Sequence, residues 1–399
     1  GDKTPDAKGW TAFVLGSHVV VTLDTGSVVF DGGSGFAIDQ IEVIATKFPL
    51  VTSLPFGVSN REWHGSVGGN GAKEDLYTFT PESNGLHDIY VRSQNGTAME
   101  LFVKELGGSG APTIVTSGFK LAKGDCSASD TKLDSQVVSA NLKNGVAYMI
   151  RVRGFGNDDA YTFAVNRVAL VQDIEFDFDS DFEGGNWALR ERQMKELFRE
   201  ATERIASATD GYARLGKIFY WHWDDYSGWN DTDGTFENED GRANCVADVS
   251  LYLNHLNSYC GTTSDKVGGK TYAHEWMHDF PDIRDEYNDD PNGVSVKLCP
   301  YSIMASSHAA VPDLCSDKNH NPNTGNLCCW MWQGGESSWE TFVDWLDPDE
   351  AIKKRMNEVK AQTPSPHNYD KSALRNTIEF VNCSSPPSPA CPSLARAPT

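Results

Sequence analysis

Short alternations of apolar and polar residues dominate the first 170 positions. Val19–Leu23, Ser27–Phe30 and Ile41–Ile44 are separated by Gly, Asp or Pro, with no long amphipathic helix among them. From Ser59 to Val168 the alternation becomes regular. Asp75–Thr80, His87–Val91, Met99–Val103, Leu142–Gly154 and Ala160–Val165 each read as a strand. Strands at this spacing predict an antiparallel β-sandwich.

The period changes after Arg167. Val168–Phe178 reads as a strand whose second half sets Ile174, Phe176 and Phe178 against Glu175, Asp177 and Asp179. Met194, Leu197, Phe198, Ala201, Ile205 and Ala208 recur at helical spacing, which predicts a helix over Asn186–Ala208 with that stripe buried. Gly216–Trp223 and Cys245–Leu253 return to strand. Asp347 is placed as the N-cap of a further helix, with Pro348 in its first turn. Cys383–Thr399, rich in Pro and Ser, reads as a flexible tail. The expected organisation is an N-terminal β region (1–58), a β-sandwich (59–168), a mixed α/β domain (169–365), and a C-terminal strand and tail (366–399).

Charge changes this picture in one place. The chain of 399 residues carries 34 Lys+Arg against 56 Asp+Glu, a net charge of −22. A surface this acidic excludes a general nucleic-acid binder, because it repels the phosphate backbone. Residues 171–350 hold 13 basic and 35 acidic side chains, so the whole excess lies in the α/β region. Expected partners are therefore divalent cations and basic substrate segments. Of nine cysteines, five fall between Cys260 and Cys329, and no CxxC pair occurs. That usage predicts disulfides in an oxidising setting and a secreted protein, with the odd count leaving one thiol over. No apolar run approaches the roughly 18 residues of a membrane helix, and no leader-like segment is present, so the chain reads as a mature or trimmed product.

The candidate chemistry sits in Thr271–Pro281, TYAHEWMHDFP. Four residues is about one helical turn, so His274 and His278 can point both imidazoles at one metal. Neutral imidazole suits Zn²⁺, and Glu275 can act as general base on a zinc-bound water. A catalytic zinc takes three protein ligands. Pro281 ends the helix, so the third ligand comes from beyond it, with Asp282, Asp285, Glu286 and Asp289 as candidates. Asp282 stands very close to the break. Asp285, seven residues after His278, leaves room for the chain to turn back and is preferred.

His274-Glu-Trp-Met-His278 followed by Asp285-Glu-Tyr-Asn288 resembles the zinc motif of the calcium-activated chloride channel regulator family, at the same spacing. The resemblance implies a zincin, metzincin-like catalytic domain with His274, His278 and Asp285 as ligands and Glu275 as base. One position departs: the family has Gly where this chain has Asp282, which keeps Asp282 in play as a ligand. Tyr301-Ser-Ile-Met304 resembles the family's Met-turn, with Met304 as an apolar floor beneath the metal. Cys315, His320-Asn321, Pro322, Asn326, Cys328 or Cys329 and Ser338-Trp339 resemble the order that follows it. The likeness covers Gly184–Trp345. Residues 59–168 resemble in turn the bacterial pre-peptidase C-terminal domain, a β-sandwich found beside secreted hydrolases.

The leading expectation is a secreted zinc metalloendopeptidase that hydrolyses peptide bonds of a protein, peptide or glycoprotein substrate. The alternatives are an adhesion protein using the sandwich on a zincin scaffold, and a self-processing protease of narrow specificity. Tyr287 and His308 are candidate oxyanion helpers. The strand at Cys245–Leu253 is a candidate edge for aligning an extended substrate. Asn230–Gly234 with Glu237, Glu239 and Asp240, and Asp317–Asn323, space oxygen ligands as structural Ca²⁺ loops do. Cys315 with Cys328 or Cys329 is the first disulfide to examine.

Overall fold

The structure, a computed structural model, describes residues 11–15, 18–22, 51–54, 61–67, 74–93, 99–105, 135–154, 159–178, 186–222, 232–245, 249–260, 267–285, 287–289, 295–297, 302–304, 313–316, 337–362, 372–384 and 391. The chain divides into two compact units, Gly1–Thr46 and Lys47–Thr399. In the first, β1 (Thr11–Leu15) and β2 (His18–Thr22) form an antiparallel hairpin from Thr11↔Thr22 to Leu15↔His18. The strands expected at Ser27–Phe30 and Ile41–Ile44 lie outside the described residues.

The second unit opens with eight strands: β3 (Val51–Ser53), β4 (Arg61–Val67), β5 (Glu74–Phe79), β6 (Gly85–Ser93), β7 (Met99–Glu105), β8 (Ser135–Leu142), β9 (Tyr148–Gly154) and β10 (Asp159–Arg167). They form two four-stranded sheets, ordered β3-β5-β9-β7 and β4-β10-β6-β8. Phe79, Ile150 and Val152 of the first share one buried core with Ile89, Phe163 and Val165 of the second. The alternation seen in sequence sends these side chains inward, as a two-layer sheet packing requires.

The rest is mixed α/β. It comprises β11 (Leu170–Phe178), α1 (Trp187–Ala208), β12 (Ala213–His222), β13 (Gly234–Glu237), β14 (Asn244–Cys245), β15 (Val249–Tyr252), α2 (Leu253–Asn257), α3 (Gly268–Asp279), β16 (Tyr287–Asp289), β17 (Ser295–Lys297), α4 (Ser338–Leu346), α5 (Glu350–Gln362) and β18 (Glu379–Asn382). Six of the strands make one sheet in the order β14-β15-β13-β11-β12-β18. All its pairings are parallel except the terminal one, where β14 runs antiparallel to β15. The predicted stripe of α1 is buried throughout, and Asn186 caps the helix by accepting from the Leu189 amide at 3.2 Å. Phe176 of β11 meets Phe198 of α1 and Tyr272 of α3 edge-on, at 5.3 and 5.9 Å between ring centres. This aromatic contact seats α3 against the sheet.

Three sequence readings need correction. Cys245–Leu253 is not one strand: it splits into the antiparallel partners β14 and β15, and Leu253 begins α2. Asp347 does not start a helix. It ends α4 in the left-handed region (φ 44°), and Asp349 caps α5 instead, accepting from the Ile352 amide at 2.9 Å. The Pro/Ser-rich segment is tied to the sheet at its start by a Cys383–Cys391 disulfide. The rest of that tail lies outside the described residues.

The two layers of the second unit meet at a seam with almost no connecting chain. β10 ends at Arg167 and β11 begins at Leu170. Between them the Val168 amide donates to Leu86 O (2.9 Å), and the Ala169 amide donates to Tyr212 O (2.8 Å). Arg214 of β12 reaches across, its Nε 2.6 Å from Asp88 Oδ2 of β6, with the two side chains 7% and 1% exposed. Ser139 of β8 donates to the other oxygen of that carboxylate.

Candidate metal centre

α3 buries one long face. Tyr272, Ala273, Trp276 and Met277 enter the core, which places His274 and His278 on the adjoining stripe, one turn apart. The helix begins against α1 at close range. A methyl group on Gly269 would stand 2.6 Å from Leu197 O and 2.6 Å from Glu200 Cβ. Only glycine allows that approach.

The helix ends as Pro281 dictates, and the turn after it does chemical work. Asp282 takes φ 51° and is exposed. Short polar residues tolerate this left-handed conformation best after glycine. Asp282 thus holds a conformation that a Gly adopts freely. The turn brings the Ile283 amide to Met277 O at 2.9 Å and leaves the Ile283 carbonyl 2.6 Å from His278 Nδ1. His274 Nδ1 is 2.9 Å from the Ile303 carbonyl. A carbonyl can only accept, so both Nδ1 atoms carry hydrogen and both Nε2 atoms are turned inward.

These inward atoms converge with a carboxylate. His274 Nε2 and His278 Nε2 are 3.3 Å apart, and Asp285 Oδ1 lies 3.3 Å from each. Two imidazole nitrogens and a carboxylate oxygen thus face one another across a small space. Such a triangle could hold a metal ion. Among the described residues it is the one cluster of three His, Cys, Asp or Glu side chains able to hold a metal ion. Asp282, exposed on the turn, is not brought into it.

The local field is consistent with this geometry. Burial works against a charged His278, but the hydrogen bond and charge of Asp285, helped by the Ile283 carbonyl and Glu275, outweigh it, so its proton affinity rises in the metal-free form. Glu275 is 7% exposed. Burial pushes its carboxyl above the usual range. The two imidazoles pull it part of the way back, Asp285 adds to the rise, and Arg242 opposes it.

Ser302–Met304 meets the site through Ile303, whose carbonyl faces His274. Met304 is buried in the same core as Trp276 and Met277, and its amide donates to Ser302 Oγ at 3.1 Å. Tyr287 opens β16, but its side chain is outside the described residues, as are Glu286, His308 and the whole of Asp317–Asn323. In the other acidic loop, Asp233 Oδ2 accepts from the Glu175 amide at 2.7 Å, which ties the loop to β11. Cys315 and Cys260 are each disulfide-bonded. Sequence reading did not find the Ile283 and Ile303 carbonyls that orient the histidines, because backbone acceptors leave no residue-type signal.

No family model matches the chain, and no curated relative matches it. Similar solved structures are found for parts of it. The pre-peptidase C-terminal domain of collagenase from Bacillus anthracis is 21% identical over 30% of this chain and 96% of its own, with a TM-score of 0.23. The Yersinia pseudotuberculosis-derived mitogen is 11% identical over 27% of this chain and 83% of its own, with a TM-score of 0.20. PliG from Salmonella Typhimurium, a periplasmic inhibitor of g-type lysozyme, is 11% identical over 29% and 96%, with a TM-score of 0.19. No helix among the described residues is long and apolar enough to cross a membrane. The chemistry of the site stands on its own geometry.

Proposed function

We propose that the chain is a zinc-dependent metalloendopeptidase of zincin type, with His274, His278 and Asp285 as ligands and Glu275 as general base. The observation that carries this is the 3.3 Å triangle. Bonds of about 2.0–2.1 Å at tetrahedral angles set neighbouring ligand atoms about 3.3–3.4 Å apart. The same bonds at octahedral right angles would bring them to about 2.9 Å. Two imidazoles with Nδ1 tied to carbonyls, plus one carboxylate, make a donor set that would fit zinc.

His274, His278 and Asp285 would hold the zinc, which would supply Lewis acidity to a water and a peptide carbonyl. Glu275 accepts the proton of the attacking water and returns it to the departing amine. Burial raises the proton affinity of this carboxyl above the usual carboxylate range, the direction that favours a group that must accept a proton before it returns it. The antiparallel edge strand β14 lies against the end of α3, with Cys245 Sγ 3.8 Å from Asp279 Oδ1. It is the edge on which an extended peptide can add as a further strand. Secretion and disulfide formation belong to the same reading.

The test compares wild type with Glu275→Ala on native and unfolded protein substrates. The expected outcome is zinc-dependent cleavage by the wild type, cut at least about 100-fold in the variant, with bound zinc retained. His278→Ala should lose the metal. A wild type that holds zinc yet cleaves no substrate would favour the adhesion reading.

A further inference from the structure

A buried ion cluster stands behind the metal centre. Lys360, on α5, is 2% exposed and places its ammonium between Asp210 and Asp313, themselves 1% and 3% exposed. Its Nζ is 3.4 Å from Asp210 Oδ2 and donates to Asp313 Oδ1, and it lies 4.5 Å from the centre of the Trp339 ring. Burial works against the charged ammonium, and the two carboxylates more than offset that. A buried lysine caged in this way is costly to assemble and adds little net stability. What it contributes is a fixed position.

That position bears on the histidines through one short path. Asp313 forms a parallel bridge with Ser302, and its carbonyl accepts from the Ile303 amide at 2.9 Å. The Ile303 carbonyl, on the other side of the same residue, is the acceptor that turns His274. We propose that Lys360 is a positioning residue for the metal centre: by holding Asp313, it fixes the peptide of Ile303 and so the direction of His274 Nε2. This rests on the metal reading given above. Asp210 is the built-in control. It shares the same lysine and the same burial, but it sits in the turn after α1 and makes no bridge to Ser302 or Ile303 in the hydrogen bonds described.

The experiment measures Co²⁺ and Zn²⁺ affinity by chelator competition, and the visible Co²⁺ spectrum, for wild type, Lys360→Met, Asp313→Asn and Asp210→Asn. Circular dichroism selects a temperature at which each metal-free protein is folded. Loss of an outer partner of a ligating histidine weakens binding by about 10–100-fold. Lys360→Met and Asp313→Asn should lose that much and shift the Co²⁺ bands, whereas Asp210→Asn should stay within about threefold of wild type. A purely structural role would instead make all three follow their stability. Where Lys360→Met does not fold, the two Asp variants decide, since each leaves the lysine one carboxylate. Unchanged affinity and spectrum in Asp313→Asn, or an equal loss in Asp210→Asn, overturns the proposal alone. A wild type that binds no metal overturns the metal reading and this one with it.

Discussion

Asp282 and Asp285 are three residues apart and have opposite fates. Asp282 turns the chain in a left-handed conformation with its side chain in solvent, while Asp285 enters the triangle with both histidines. Replacing Asp282 with Gly removes about 1 kcal/mol of backbone strain and gives back a similar amount through the freer unfolded chain. Asp282→Gly should therefore keep its metal affinity and unfold within about 1 kcal/mol of wild type, while Asp285→Ala loses the metal. Chelator titration and urea unfolding check both; a metal lost with Asp282→Gly sinks the ligand assignment. His87 offers a second residue-scale test. Burial holds its imidazole neutral and lowers its pKa to about 4, the Gly85 carbonyl offsetting a little and Arg167 adding to the fall. In the unfolded chain it takes a proton near 6.5. Its contribution is therefore complete above about pH 6.5 and is lost as pH falls toward 4, about 3 kcal/mol in all. His87→Leu should flatten the decline of the urea midpoint across that window. At this scale the cluster was legible, because two histidines at fixed helical spacing are themselves the signal. Lys360 left a faint trace, a lysine in the stripe of Met356 and Val359, and its partners left none.

Among the elements, the crossing of α3 on α1 is the most exacting. Gly269→Ala should push the helices apart and cost about 1–3 kcal/mol, as an overpacked core does. Weaker metal binding should accompany the loss, because the same helix carries both imidazoles. Thermal unfolding of the metal-free protein measures the first effect, and an unchanged midpoint would mean the contact relaxes freely. The long elements were readable because their periods are long: α1 shows its stripe over 22 residues. The short ones were not. β14 and β15 are two and four residues long, below the span over which alternation declares itself, so one apolar stretch concealed an antiparallel return. Asp347-Pro-Asp349 held two caps in one turn, and the pattern could not say which Asp served which helix.

Across the whole second unit, the seam between the sandwich and the α/β layers is held by charge as much as by packing. Removing Arg214 leaves the Asp88 carboxylate buried without its guanidinium. Arg214→Met should lower stability by about 3–5 kcal/mol, and adding Asp88→Asn should recover part of it. A single cooperative urea transition that moves as one in both variants is the expected signature. Two separate transitions in the wild type would show instead that the layers fold independently. Nothing in the sequence announced this pair, since residues 126 positions apart share no local pattern.

The two residues that join these layers also bear on how the chain would meet a protease. A protease needs a stretch of backbone it can draw out straight into its cleft, and exposed loops supply one. Val168 and Ala169 have already given their amides to Leu86 and Tyr212, one on each side. The junction is here a closed stitch, so a protease that trims the chain should leave the sandwich and the α/β layers joined at this point.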